Sequence, residues 1–577
     1  MKQCPECKRV YADETLNFCL DDGAWLAGAA GSSAVDEPAT EILRGGIQTD
    51  ESPTRHFGTG ETAGATDESG VRGSAAPTRS RRNVIFLAVA VLVALAASGL
   101  GLYRYVLSSS PTVAEGQINS VAVLPFENAS GNADLDYLSD GVSESVIDRL
   151  SQLGQLKVIS RSSSFRYRGK NLNLKEIAAA LGVEAIIAGR VIPRGDGYNI
   201  RVELIDARED KQLWGDSFTR KASDVQALQT DIAREIAENL RLRLSGVQTQ
   251  QLDDQRTANP QAYELLLKGR FYFNKGGGQQ GENFDKAVEY YEQAVAADPG
   301  YALAWAELSD TYGIGGGGRD LDPKDRRAKQ DAAARKSLEL DANLADAHYV
   351  MAQSWRDNWQ WAEAGREYTR AIELNPNLSK VYSGYANYLH YMKRPDEAVA
   401  AIRRALELDP LSIVINVNAI GVYYMARRHD DAIAAAKKAF ELEPNNAVGH
   451  SRLGTVYEAK GMYQESIAQY REVQRLRRVA AVDRGPYFGR IYAKMGERAK
   501  ALEILHEIEA DGTAVPPREV ALLYESLGMR DRAFAQLEKG ISERTPSFPG
   551  ISVDPLFDSL RPDPRFQDLL RQMNLPQ

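Results

Sequence analysis

Three prolines, Pro376, Pro410 and Pro444, are evenly spaced, and each closes a similar phrase: AIELNP, ALELDP, AFELEP. Ala371, Ala405 and Ala439 keep the same interval, and so do Ala364, Ala398 and Ala432. Three positions in phase over three units constrain the chain more than any other feature, because a fixed period of about 34 residues marks stacked repeats. Each unit has room for two antiparallel helices that are too short to be stable alone. Stacking of neighbours must therefore supply the core. Small residues let the paired helices approach closely, and proline cannot continue the second helix, which fixes where the chain turns into the next unit.

Larger residues fill the remaining positions, Trp305, Leu308 and Tyr312 in one unit and Leu453 and Tyr457 in another. The arrangement W-x2-L-G-x2-Y…A…A…P resembles the tetratricopeptide repeat, and AVGHSRLGTVYEAKGMYQESIAQY (447–470) carries it best, with Leu453, Gly454 and Tyr457 in place. Units start near 262, 302, 345, 379, 413 and 447, and two degenerate ones fit around 489–505 and 524–537. GGGQQG and GIGGGGRD lengthen the turns of the first two units, and DPLFDSLRPDPRFQDLLRQMNLP is expected to pack on as a last helix. The resemblance implies a right-handed superhelix over 260–540 with a capping segment at 541–577. It also implies a concave face, lined by the first helix of each unit, that binds peptides or partner proteins. On this chain that face maps to Gln353, Arg356, Lys380, Asn387 and Tyr391.

Residues 117–245 have a different texture. SVAVLPF (120–126) is a nearly continuous apolar run, as a buried strand would be. Val142, Val146, Ile147 and Leu150 share one helical face. A short strand around LKVIS and a helix near LKEIAAAL, ended by Gly182, come next. EAIIAGRVI and YNIRVELID then flank a turn containing Asp196-Gly197, which predicts a β-hairpin. A strand around LWGDSFTR and a helix to about Leu244 complete an α/β domain. The motif LPF, the Asp140-Gly141 pair, Arg161, Phe165 and Leu213-Trp214 make this stretch resemble a TolB amino-terminal-like domain. That domain type often stands between a membrane span and tetratricopeptide repeats in bacterial signalling proteins. The resemblance implies a recognition or assembly module and brings no catalytic residues. The kinase, cyclase or winged-helix domain of such relatives has no counterpart in this sequence.

All three cysteines, Cys4, Cys7 and Cys19, lie in the first twenty residues. Clustered thiols suit a reducing compartment and a metal better than a disulfide framework. Cys4-Pro-Glu-Cys7 followed by Cys19-Leu-Asp-Asp22-Gly resembles a small zinc ribbon over 1–26, with a structural Zn²⁺ held by Cys4, Cys7, Cys19 and Asp22, Asp21 being the alternate fourth ligand. Residues 27–83 are rich in Gly, Ala, Ser, Thr and Pro and read as a flexible linker. Within 84–107, the run 84–102 is 19 residues without a charge, which at ~1.5 Å per residue nearly spans a ~30 Å hydrocarbon core. Arg79, Arg81 and Arg82 precede it and only Arg104 follows closely. The excess of positive charge predicts a cytoplasmic N-terminus, with everything after 107 in the periplasm.

The net charge of −9 weighs against broad nucleic-acid binding. No phosphate-cradling loop, H-E-x2-H or G-x-S-x-G pattern occurs, and the six histidines are dispersed. His348 and His450 fall where the repeat usually has an aromatic, so packing is their expected role. The expectation is a multidomain chain: a small zinc-ribbon-like head, one transmembrane helix, an α/β domain, then an all-α tetratricopeptide-repeat superhelix. It is read as a bitopic, non-enzymatic scaffold of the bacterial inner membrane, contacting the lipid bilayer through one span. The alternative is a transmembrane sensor that relays a signal to a cytoplasmic kinase or transcription factor.

Overall fold

A computed structural model describes residues 118–577, apart from 171–172, 222–223, most of 241–256, 276–280, 315–320, 479–483, 512–514, 545–547 and 577; before 118 it describes only three two-residue strands. Those strands, β1 (Lys2–Gln3), β2 (Val10–Tyr11) and β3 (Ala27–Gly28), form an antiparallel sheet in the order β2-β1-β3. The zinc ligands expected at Cys4, Cys7, Cys19 and Asp22, the linker from 29 onward and the apolar run 84–107 lie outside the described residues, whereas Ala27 and Gly28, expected to open the linker, pair with β1 as strand β3. Among the described residues no helix is long and apolar enough to cross a membrane.

The α/β domain is built on a mixed sheet. β4 (Ser120–Val123) pairs in parallel with β6 (Lys157–Val158) and β7 (Ala185–Arg194), and short β5 (Glu127–Asn128) also pairs with β7. β8 (Gly197–Asp206) and β9 (Lys211–Lys221) continue it antiparallel. Period-two alternation sends Val121, Val123, Ile187, Val202 and Leu204 to one face, where they meet α1 (Asp136–Ser151) and α4 (Val225–Asn239). Ala122 and Ile186 point to the other face, against α3 (Leu174–Leu181). Helix α3 ends on Gly182 in the left-handed conformation (φ 64°), as its sequence suggests. The β7–β8 hairpin turns through Gly195 at φ 63°. Between β6 and α3, a single turn of helix, α2 (Arg161–Ser164), carries Arg161 to Glu144 (3.0 Å) and to the buried Asp140 (3.5 Å), with its guanidinium 4.0 Å above the Phe165 ring.

Eight antiparallel helix pairs follow among the described residues. They are α5/α6 (Pro260–Lys275, Glu282–Ala297), α7/α8 (Ala302–Ile314, Pro323–Leu340) and α9/α10 (Ala345–Asp357, Trp361–Leu374). Next are α11/α12 (Ser379–Tyr391, Pro395–Leu408), α13/α14 (Ile413–Met425, His429–Leu442) and α15/α16 (Ala447–Ala459, Tyr463–Leu476). The last are α17/α18 (Pro486–Lys494, Arg498–Asp511) and α19/α20 (Pro517–Ser526, Arg530–Ser542), before a terminal α21 (Pro564–Gln572). Ala364, Ala398, Ala432, Ala371, Ala405 and Ala439 are all completely buried where the helices of a pair meet. His348 is held between Glu367 (2.5 Å) and the Ala342 carbonyl (2.9 Å), and His450 stacks on Phe440 at 4.2 Å.

The turn inside each pair repeats as strictly as the alanines. Trp359, Lys393, Arg427 and Gly461 recur at the same interval as the prolines, and all have positive φ (61°, 58°, 60° and 73°). Each directly follows the C-cap of a first helix, and the next amide reaches back into that helix, as in Arg394 N to Leu389 O at 2.9 Å. A side chain there costs about 1–2 kcal/mol in the left-handed region. Lys393 is exposed and also feels the like charge of Arg561. Lys393→Gly should therefore raise stability by about 0.5–1 kcal/mol, net of the extra unfolded-chain entropy of glycine, as a higher urea midpoint. No gain, or a loss, would mean that Lys393 makes a contact stronger than this strain.

The α/β domain and the repeats are joined by buried contacts. Leu267 of α5 inserts into the α/β core against Gly141, where any side chain would collide with it. Further along, the turns between repeats reach the other end of α1: Asn377 Nδ2 donates to the carbonyls of Ser151 (2.9 Å) and Leu156 (2.8 Å). Asp409 accepts from the hydroxyls of Ser162 and Ser163.

Candidate functional site

First helices of successive units pack on one another and form the inner layer of the array. The five residues mapped to that layer from the sequence divide into two groups. Gln353 and Lys380 belong to an acidic cluster. Gln353 Nε2 donates to Asp310 (3.1 Å), while Lys380 Nζ pairs with Asp346 (2.9 Å) and Asp310 (3.4 Å), 5.1 Å from the Tyr349 ring centroid. Burial opposes the Lys380 charge, but these carboxylates outweigh it and hold the ammonium well above its ordinary pKa. Two of the mapped residues are thus engaged with their own array.

Arg356, Asn387 and Tyr391 line a separate cavity of about 250 Å³. Arg356 pairs with Asp357 (2.8 Å) and donates to the Tyr368 hydroxyl (3.4 Å). Tyr391 stands edge-on to Trp361, with centroids 5.7 Å apart. Asn387 Nδ2 donates to Asn418 Oδ1 at 3.3 Å. Sequence reasoning missed the other walls: Arg326 and Arg327 from α8, Trp359, and Arg544 from beyond α20. In the phrase DRRAK the first two are only a charge pair, with nothing local to send them inward. Arg544 follows Arg327 by 217 residues, and no local pattern joins them.

The C-terminal segment supplies the remaining boundary. Its first 3-10 turn (Phe548–Ser552) packs on α11, a second turn (Pro555–Phe557) follows, and α21 packs on α20. Trp361 Nε1 donates to the Met573 carbonyl at 2.7 Å, and the Tyr424 hydroxyl donates to Asp554 at 2.6 Å. Pro549 lines the cavity beside Tyr391. The segment expected as a cap at the end of the superhelix is therefore also part of the wall of its inner face. Among the described residues no cluster of His, Cys, Asp and Glu is arranged to hold a metal ion.

Comparison with known proteins gives separate matches for the two regions. Residues 117–235 match the family model of the HilA/YgeH-like transcriptional regulator, second domain, and residues 279–301 and 379–410 match the tetratricopeptide repeat. The chain is 29% identical over 254 residues to the putative adenylate cyclase 3 of Rhizobium meliloti (strain 1021), covering 42% of each protein. It thus spans less than half the length of that relative. Among solved structures it is similar to YrrB, a TPR protein with an unusual peptide-binding site (16% identity, 33% of this chain, 95% of that one, TM-score 0.25). It is also similar to the APC/C hetero-tetramer Cut9-Hcn1 (14% identity, 61% of this chain, 63% of that one, TM-score 0.37). The helical region is an array of tetratricopeptide repeats following an α/β region.

Proposed function

We propose that this protein is a membrane-anchored interaction scaffold of the bacterial cell envelope, which binds partner proteins or peptides on the inner face of its repeats. The observation that carries the reading is the tetratricopeptide array itself, a continuous layer of first helices joined by buried contacts to an α/β domain. In this reading 84–107 anchors the chain in the inner membrane, the array lies in the periplasm, and the cysteine module is a zinc-bound docking head in the cytoplasm. The α/β domain is a recognition module of the TolB amino-terminal-like type. The chain acts by binding and not by turnover.

A crosslinked capture from native membranes tests this, with the full chain beside an Arg356→Ala/Asn387→Ala/Tyr391→Ala variant. The expected result is a partner held by the unaltered chain and lost by the variant. Capture of the same set by both would remove the inner face from the reading. A second reading is favoured by one observation: residues 117–235 match a domain of transcriptional regulators. On that reading the chain is a sensor that relays a signal to a cytoplasmic kinase or transcription factor, and what the cysteine module binds would change with the periplasmic ligand.

A further inference from the structure

The cavity beside Arg356 is built unlike an open peptide channel. Its charged walls come from three separated stretches, Arg326 and Arg327 on α8, Arg356 at the end of α9, and Arg544 beyond α20, and α11 adds Asn387 and Tyr391. The stretch beyond α20 forms one wall at this point, and Arg327 Nη2 donates across the seam to the Arg544 carbonyl at 3.3 Å. Four guanidiniums line the space, and Asp357 is the one carboxylate among the described lining residues, so the wall is strongly cationic.

Two of these side chains are held by other lining residues. Arg356 uses Nε (2.9 Å) and Nη2 (2.8 Å) on Asp357, and Arg544 sits over Trp359 with its guanidinium carbon 4.9 Å from the ring centroid. No hydrogen bond or ion pair engages the Arg326 guanidinium among the described residues. An apolar occupant would remove water from these cations and return nothing, which is costly. An anion would replace that water with several charge-assisted hydrogen bonds.

We infer that this cavity binds a compact, multiply charged oxyanion of the phosphoryl class. Guanidinium forks match the oxygens of a phosphoryl group in pairs, and the charge excess favours a dianion or higher over a single carboxylate. The volume falls below the ~300–1,000 Å³ usual for organic-ligand pockets, so one or two phosphoryl groups fit the space better than a nucleotide does. Asn387 and Tyr391, also in the wall, add neutral polar contacts. The inference goes beyond the partner reading above, since it needs no protein ligand.

The test is calorimetric titration of the full chain in detergent with pyrophosphate and with inorganic phosphate, against sodium chloride at equal ionic strength. Saturable binding of pyrophosphate is expected, weakened about tenfold or more by Arg326→Ala and by Arg544→Ala. Arg326→Lys, which keeps the charge and loses the fork, should recover only part of it. Both alanine positions lie outside the packed core, and an unchanged melting temperature without ligand shows that the variants fold. A phosphoserine peptide that competes with pyrophosphate would identify a peptide as the source of the group; one that does not compete would leave a free anion as the source. Heat no greater than that of chloride, or pyrophosphate affinity unchanged in both alanine variants, overturns the inference. Because the titration contains no partner, its failure is distinguishable from failure of the capture experiment.

Discussion

Replacing Arg490 with methionine is expected to destabilise the repeat array by about 3–5 kcal/mol. Arg490 is 1% exposed and lies between two carboxylates, with Nε and Nη2 on Glu458 (2.8 and 2.7 Å) and Nη1 on Glu519 (2.9 Å). Burial alone would raise the pKa of Glu458, but Arg490 and Lys494 overcome it and hold the carboxyl below the ordinary range. Without Arg490, Glu458 keeps only Lys494 (2.9 Å), and a completely buried carboxylate is left half-compensated. The effect should spread, because Glu519 also meets Arg518, and Arg518 meets Asp554 of the C-terminal segment. Three parts of the chain thus share one network of charges, and single replacements in such a network do not add. Arg490→Met combined with Glu458→Gln should therefore recover about 1 kcal/mol or more relative to the sum of the single variants. Chemical unfolding followed by tryptophan fluorescence measures both. An Arg490→Met chain within about 0.5 kcal/mol of the unaltered one, the range of an ordinary surface substitution, would contradict the account.

The second large effect depends on pH and is concealed in the unaltered protein. Burial pushes His390 down to about 4, partly offset by the Val422 carbonyl, and its Nε2 has no hydrogen-bond partner. Burial pushes Asp409 up to about 6, despite the hydroxyls of Ser162, Ser163 and Ser379 that favour its charged form. The signs are opposite. For His390 the unfolded chain binds the proton more tightly, so its stabilising contribution is present above about 6.5 and is lost as pH falls toward 4. For Asp409 the folded chain binds the proton more tightly, so its contribution is present below about 3.8 and is lost as pH rises through about 6.

Between pH 7 and 4.5 the His390 contribution falls by about 2.5 kcal/mol and the Asp409 contribution rises by about 2 kcal/mol. The two nearly cancel. Asp409→Asn should therefore become about 2 kcal/mol less stable, relative to the unaltered chain, when the pH is lowered over this range. His390→Gln should become about 2.5 kcal/mol more stable on the same comparison. Taking each variant minus the unaltered chain removes the other titrating groups, including Asp140 and Glu144, whose pKa values burial also raises. A difference that does not move with pH would show that the residue titrates alike in the folded and unfolded chains.

The repeats were legible because their determinants are local and periodic. A helix pair needs small residues at fixed offsets, a breaker after the second helix and a tolerant turn between the two, and all of these lie within a single unit. The alanines buried at 364, 371, 398, 405, 432 and 439 were readable for that reason. In the α/β region, the turn at Asp196-Gly197 was enough to place the β7–β8 hairpin. The inner-face residues were only half legible. Repeat position assigns Arg356 and Lys380 to the same layer, but it cannot say that Lys380 pairs with Asp310 and Asp346 while Arg356 reaches a cavity. That difference depends on neighbours in other units, which the period does not specify.

Repeat length, helix pairing, the alternation within the strands and the lack of familiar catalytic motifs can all be read along the chain, because each depends on residues close together in order. How the regions act on one another depends instead on the folded packing. Asp409 meets Ser163 across 246 residues, Trp361 meets the Met573 carbonyl across 212, and Arg327 meets Arg544 across 217. None of these contacts has a local signature, since each forms only after the array has curved enough to bring distant turns together. The curvature is the sum of small rotations between successive repeats. It depends on how each side chain packs against the next unit, and no single repeat encodes that sum.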